Sequence, residues 1–188
     1  MSIHALIFEG KEHLMTIRLK SAATVIALLF AAGGAPAADK PTDPQIAHIA
    51  YTAGVIDIEA AKQAIAMSKN PTIVEFAESM VRDHEAVNKQ ALDLVKKLNV
   101  TPEDNDTSKT LSKEAEAKRQ ELGKLTGAEF DKAYIDHEIA YHKQVNSAVE
   151  TQLIPAAQNA ELKSLLETGL KLFQGHQQHA ERVAAELK

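Results

Sequence analysis

The chain has 188 residues, a formal charge of −5, 45% hydrophobic residues and 4% aromatics, with no Cys or Trp. Scarce aromatics and glycines argue against a β-sandwich or barrel, and the acidic balance argues against a non-specific nucleic-acid binder, which would carry a basic surface. Without cysteine there are no disulfides and no thiolate metal sites, so packing alone must hold the domain.

In chain order, the first element reads as an export signal. Met15 opens a better signal peptide than Met1, so residues 1–14 read as an upstream extension of the start site. Arg18 and Lys20 form a positive n-region, followed by an apolar run from Ala22 to Ala32. That run falls short of the roughly 20 residues a membrane span needs. Ala35-Pro36-Ala37 has the small-residue spacing that signal peptidase takes, which starts the mature chain at Ala38. The expected product is a periplasmic or outer-membrane-associated protein whose mature chain has no transmembrane segment. Residues 38–43 form a linker and 44–188 one helical domain.

Asp43, with Pro44 at the first helical position, is placed to cap a first helix carrying Ile46, Ile49, Ala53, Ile56 and Ala60 at steps of three and four. Asn70-Pro71 breaks it. A second helix follows, with Ile73, Ala77, Met80, His84, Val87, Ala91, Leu94 and Leu98 in 4-3 steps, ended by Asn99 and Pro102. The charged stretch 101–123 has only a thin apolar edge and reads as a loop and a short surface helix. Thr126 and Glu129 form a capping box for a third long helix through Ile135, Ile139, His142, Val145 and Val149, ended by Pro155. Asn159 caps a fourth, with Leu162, Leu166, Leu172, His176, His179 and Val183. The expected fold is all-α: a ferritin-like four-helix bundle with a long second-to-third helix crossover carrying a short extra helix.

Several of these stripes carry an ionisable group where an apolar one belongs, which is costly in a helical interior unless the group is paired or binds metal. The candidates are Glu59, His84, Asp136, His142, His176 and His179. If the charged segment returns the chain to the Asn70 end, all six fall in one slab about 10 Å thick. A third helix antiparallel to the second would scatter them. Each also has a plainer reading, as a histidine or carboxylate bonded to a buried neighbour or to a carbonyl. Asp83 points about 100° away from His84 and makes a poor partner for it.

Three stretches carry a family resemblance: Phe76-Ala-Glu-Ser-Met-Val-Arg-Asp-His84, Phe130-Asp-Lys-Ala-Tyr-Ile-Asp136 through His142, and His176-x-x-His179. They resemble the domain of unknown function 4142 family, exported bacterial proteins placed in the ferritin-like superfamily, across residues 43–187. The resemblance implies a ferritin-like bundle in the periplasm or at the outer membrane and brings no activity with it. The Glu-x-x-His pairs of di-iron ferritins are missing, since Val81 and Phe173 stand three residues before His84 and His176. A metal here would meet a histidine-rich set suited to Fe, Cu or Zn rather than Mg²⁺ or Ca²⁺.

Three functions therefore stay open: a transition-metal binding module, a metal-dependent oxidoreductase, and a metal-free envelope protein with a buried polar network and a protein partner or second copy on its surface. Nucleophilic hydrolysis is disfavoured, because no Cys exists and no Ser or Thr sits in a strained turn beside a His.

Overall fold

Residues 40–187 are described by a computed structural model; the expected signal sequence lies outside the described residues. Helix α1 (Asp43–Met67) is capped by Thr42 rather than Asp43, through a capping box in which Thr42 and Gln45 satisfy each other's backbone amides. Asp43 is used elsewhere: its two carboxylate oxygens each accept a 2.8 Å bond, from the amides of Gln158 and Asn159. The start of α1 is thereby tied to a turn more than a hundred residues later.

Asn70 caps α2 (Pro71–Lys97) by accepting from the Thr72 amide, as the Asn-Pro pair predicts. Beyond α2 the chain turns at Asn99, in the left-handed region at φ 52°. Helix α3 (Asp106–Leu122) occupies the charged segment, capped by Asn105. Helix α4 (Gly127–Ala148) begins after Thr126, but the Thr126 hydroxyl makes no capping bond. Gly127 enters with φ 56°, a backbone turn that leaves the expected box unformed.

Pro155 does not end the third long helix either. Helix α4 widens into a π-helical turn at Val149–Leu153 and continues through one more turn, α5 (Ile154–Ala156). Proline lacks an amide hydrogen and its ring crowds the carbonyl four residues back, so a widened turn just before it lets the helix run on. Asn159 then caps α6 (Ala160–Glu186), accepting from Glu161 and Leu162.

The helix directions follow from these ties. The Ser68 hydroxyl donates to Asp131 at 2.6 Å, bringing the start of α4 to the α1–α2 turn, here called the upper end. Asn105 donates to the Gln45 carbonyl, and Gln63 donates to the Arg119 carbonyl, so α3 climbs parallel to α1. Lys97 pairs with Glu161 at the lower end and His176 with Asp83 farther up, so α6 climbs as well. Helices α2 and α4 both descend, as the crossover reading requires. Among the described residues there is no strand, and no helix is long and apolar enough to cross a membrane.

Apolar packing divides in two. Ile73, Phe76, Ala77, Met80, Phe130, Tyr134, Ala180 and Val183 form an upper cluster. Ile46, Ile49, Val149, Leu153, Leu162 and Leu166 form a lower one. Between them α1, α2, α4 and α6 each bury polar groups: Asp57, His84, Asn88, Glu138, His142, Asn146 and His176. Gly54 serves this layer, because a Cβ there would stand 2.3 Å from Asn88 Oδ1.

Candidate metal centre

Each helix supplies its donor by periodicity. On α4, Glu138 and His142 are four apart and face the same way; on α1, Asp57 falls in step with Ala53, Ala60 and Ala64, all buried. His84 comes from α2 and His176 from α6. The His84, His142 and His176 rings lie with centroids 5.2 to 5.7 Å apart, and one nitrogen from each falls within 4.8 Å of the others. Asp57, Glu138 and His142 form a second such triplet that shares His142. All five side chains are buried.

The histidine tautomers can be worked out from what surrounds them. His142 Nδ1 stands 3.0 Å from the Glu138 carbonyl oxygen, which can only accept, so Nδ1 carries the proton. His142 Nε2 therefore presents a lone pair, and it faces Asp57 Oδ2 at 3.4 Å. His176 Nε2 donates to Asp83 Oδ2 at 3.1 Å, which leaves Nδ1 as a buried lone pair without a partner. His84 has Nε2 at 3.5 Å from the same Asp57 oxygen, and neither of its nitrogens is hydrogen-bonded. Phe173 stacks flat on the His84 ring at 4.7 Å, so the residue three before His176 holds a ligand candidate in place rather than being one.

Both Asp57 oxygens and Glu138 Oε2 are buried without hydrogen bonds. Their ion-pair partners among the described residues are histidines alone. Burial accordingly raises the proton affinity of both carboxyls, and Asp57 raises that of Glu138 further. Burial pushes His142 down to about 4, and it lowers His84 well below the usual histidine range, with His142 and His176 adding to the effect. His176 is lowered by burial and partly restored by Asp83. On Asp83 burial works upward, but the bonds from Arg82 and His176 outweigh it and keep the carboxyl low. The interior thus holds neutral imidazoles beside carboxylates that lack counter-charge.

Of the residues singled out by sequence, His84, His142 and His176 come together here. Glu59 does not: it is exposed and bridges to Arg119 of α3 at 3.1 Å. Asp136 is exposed and paired with Lys132. His179 lies a turn above the centre, edge-on to Phe76 at 5.1 Å. Both misplaced carboxylates are two residues from the buried ones, and two residues turn a helix by about 200°. The missed Asp57 lies between two buried isoleucines, and Glu138 stands four residues before a suspected ligand. Those two signals were available. The bond from His176 to Asp83 was not, since it joins α2 to α6 across 93 residues.

No curated protein and no solved structure matches the chain. A family described as "Domain of unknown function (DUF4142)" matches residues 30–183. That span takes in every helix carrying a donor, and the chain belongs to this family.

Proposed function

We infer that the protein is a transition-metal binding module of ferritin-like four-helix architecture, with Asp57, His84, His142 and His176 holding the ion. One observation carries this reading: the His142 Nε2 lone pair and the His84 Nε2 atom face one buried Asp57 oxygen at 3.4 and 3.5 Å with no hydrogen bond between them. An acceptor nitrogen and a carboxylate oxygen so placed repel unless a proton or a metal ion lies between them, and a metal ion serves Asp57 and the histidines together. Donors about 2.1 Å from a tetrahedral ion stand about 3.4 Å apart, which matches both gaps.

Charge supports the same reading. Asp57 and Glu138 bring two negative charges when ionised, and one divalent ion neutralises them. The outer nitrogens support it too, since His142 and His176 donate theirs to a carbonyl and a carboxylate, the usual orientation of metal-bound histidines. Three imidazoles and a carboxylate suit Fe, Cu or Zn. The signal-like N-terminus supports a place in the periplasm or at the outer membrane.

The test is elemental analysis of untagged protein beside His142→Ala and Asp57→Ala. About one equivalent of a transition metal is expected, lost in both variants while helical circular dichroism persists. If the wild type contains none and takes up none on titration, the layer is only a polar network. Function would then lie on the outer surface, with a protein partner or a second copy.

A further inference from the structure

The four donors do not account for every unpaired group in the layer. Glu138 Oε2 approaches His142 at Nδ1, 3.5 Å away, the nitrogen already committed to a carbonyl. One turn above Glu138 on the same face of α4 stands Tyr134, fully buried, its hydroxyl without a hydrogen-bond partner. Tyr141, by contrast, donates its hydroxyl to the Ala53 carbonyl at 2.9 Å and is satisfied. Burial raises the Tyr134 proton affinity, and Glu138 and Asp57 add to it, so the phenol lies within electrostatic reach of both carboxylates.

A buried hydroxyl and a buried carboxylate oxygen that both lack partners cost stability unless something hydrogen-bonds to them. An ion seated between Asp57 and the histidines cannot satisfy a phenolic proton. A small guest that both binds the ion and hydrogen-bonds can.

Resting on the metal reading above, we propose that the centre keeps a fifth coordination position open, beyond its four protein donors, for a small solvent-derived ligand, water or a small anion, and that Tyr134 and Glu138 line that position. Tyr134 donates a hydrogen bond to the guest, and Glu138 supplies an acceptor and a negative charge. A four-ligand site takes such a guest by expanding to five-coordinate. The class of ligand is set by size and by hydrogen bonding, since Tyr134, Glu138 and the four donors are all buried.

The experiment loads the full chain with Co²⁺ and titrates azide while following the visible absorption of the cobalt. Wild type should show a saturable spectral change. Tyr134→Phe, which removes only the hydroxyl, should weaken azide binding about fivefold, the worth of one hydrogen bond. At a pH where Glu138 is ionised, Glu138→Gln should tighten it, because a like charge is removed. Opposite shifts in two variants with full cobalt content do not arise from general loosening.

Stoichiometric cobalt with a spectrum indifferent to azide would overturn the open position and leave metal binding standing. Azide binding equal in wild type and Tyr134→Phe would overturn the lining. Loss of cobalt from Glu138→Gln would make Glu138 a ligand instead, against the proposal. Failure of the wild type to bind cobalt at all would remove both readings together.

Discussion

The upper cluster around Phe76 and the polar layer around His142 are built on the same helices, about two turns apart, and they follow opposite rules. In the cluster, Phe76, Tyr134 and Phe130 bring their rings to 6.1 and 6.2 Å, and burial of each large side chain contributes about 1.5–3 kcal/mol. In the layer, burial works against the fold, because both Asp57 oxygens, Glu138 Oε2, both His84 nitrogens and one nitrogen each of His142 and His176 give up water and gain no hydrogen bond in exchange. The stability of one region allows the other to be kept unstable. The layer therefore costs folding stability that a bound ion would return.

The comparison is broken most directly from the stable side. Phe76→Ala should lower the unfolding free energy by about 3–5 kcal/mol in urea, the range for emptying a buried aromatic site. A loss under about 1 kcal/mol would mean that the upper cluster does not anchor the molecule.

The pH profile of metal-free protein is the next largest effect. His142 titrates at about 4 when folded and near 6.5 when unfolded, so below pH 6.5 the unfolded chain takes up a proton that the folded chain refuses. Stability is therefore lost as pH falls from 6.5 towards 4, by about 3 kcal/mol for this residue. His84, His137 and His176 act in the same direction. Asp57 and Glu138 act in the other. Asp57 is raised to about 8, so as pH falls through 8 the folded chain takes up a proton that the unfolded chain does not, and stability rises. Urea titrations in chelator should show a maximum near neutrality with loss on both sides. A profile flat from pH 5 to 9 would deny the layer its burial.

Asp57→Asn sharpens the contrast. In chelator at pH 8.5 it should stabilise the protein by about 1–3 kcal/mol, since an ionised group without counter-charge is replaced by a neutral one. It should also shrink the alkaline limb to the part that Glu138 contributes, and abolish metal binding. Stabilisation together with loss of metal is the signature of a site kept for function.

Gly54→Ala should cost about 1–2 kcal/mol, because its Cβ meets Asn88 Oδ1 at 2.3 Å, and Asn88→Ala in the same chain should recover most of the loss. Smallest of all are Glu59→Gln and Asp136→Asn, which should leave the melting temperature and the metal content unchanged, as expected of exposed groups in surface pairs.

Much of the fold was legible because helix length, caps and breaks are local properties. Asn70-Pro71 and Asn159 stop and start helices through their own side chains and immediate neighbours. The crossover was legible as a consequence of charge, since α3 buries little beyond Ser108 and Leu122 and so can run along the outside of α1. The ends that went wrong depended on more than local sequence. Thr42 took the cap from Asp43 because Asp43 had a partner at Gln158 and Asn159. Pro155 was absorbed by a π turn that no spacing announces.

In the centre, histidines were easier to find than carboxylates. A histidine interrupts an apolar stripe visibly, as His84 does. Helix α1 has no single stripe to interrupt, because Ile56, Asp57 and Ile58 are all buried, and its ionisable residues could not be sorted by face.

The order in which the helices pair has a last consequence. Helices α1 and α2 form one hairpin and α4 and α6 another, and only the stretch through α3 joins them covalently. Asp57 and His84 belong to the first hairpin, His142 and His176 to the second. Neither half of the molecule holds a complete donor set, so an ion shared by all four residues, as proposed, would act as a rivet across the seam between the halves. Its binding energy resists their separation and grows with free metal concentration as mass action dictates. A chain nicked between Asn99 and Asn105 would be two pieces held by the apolar clusters they share, which metal would draw together more tightly and a chelator would loosen.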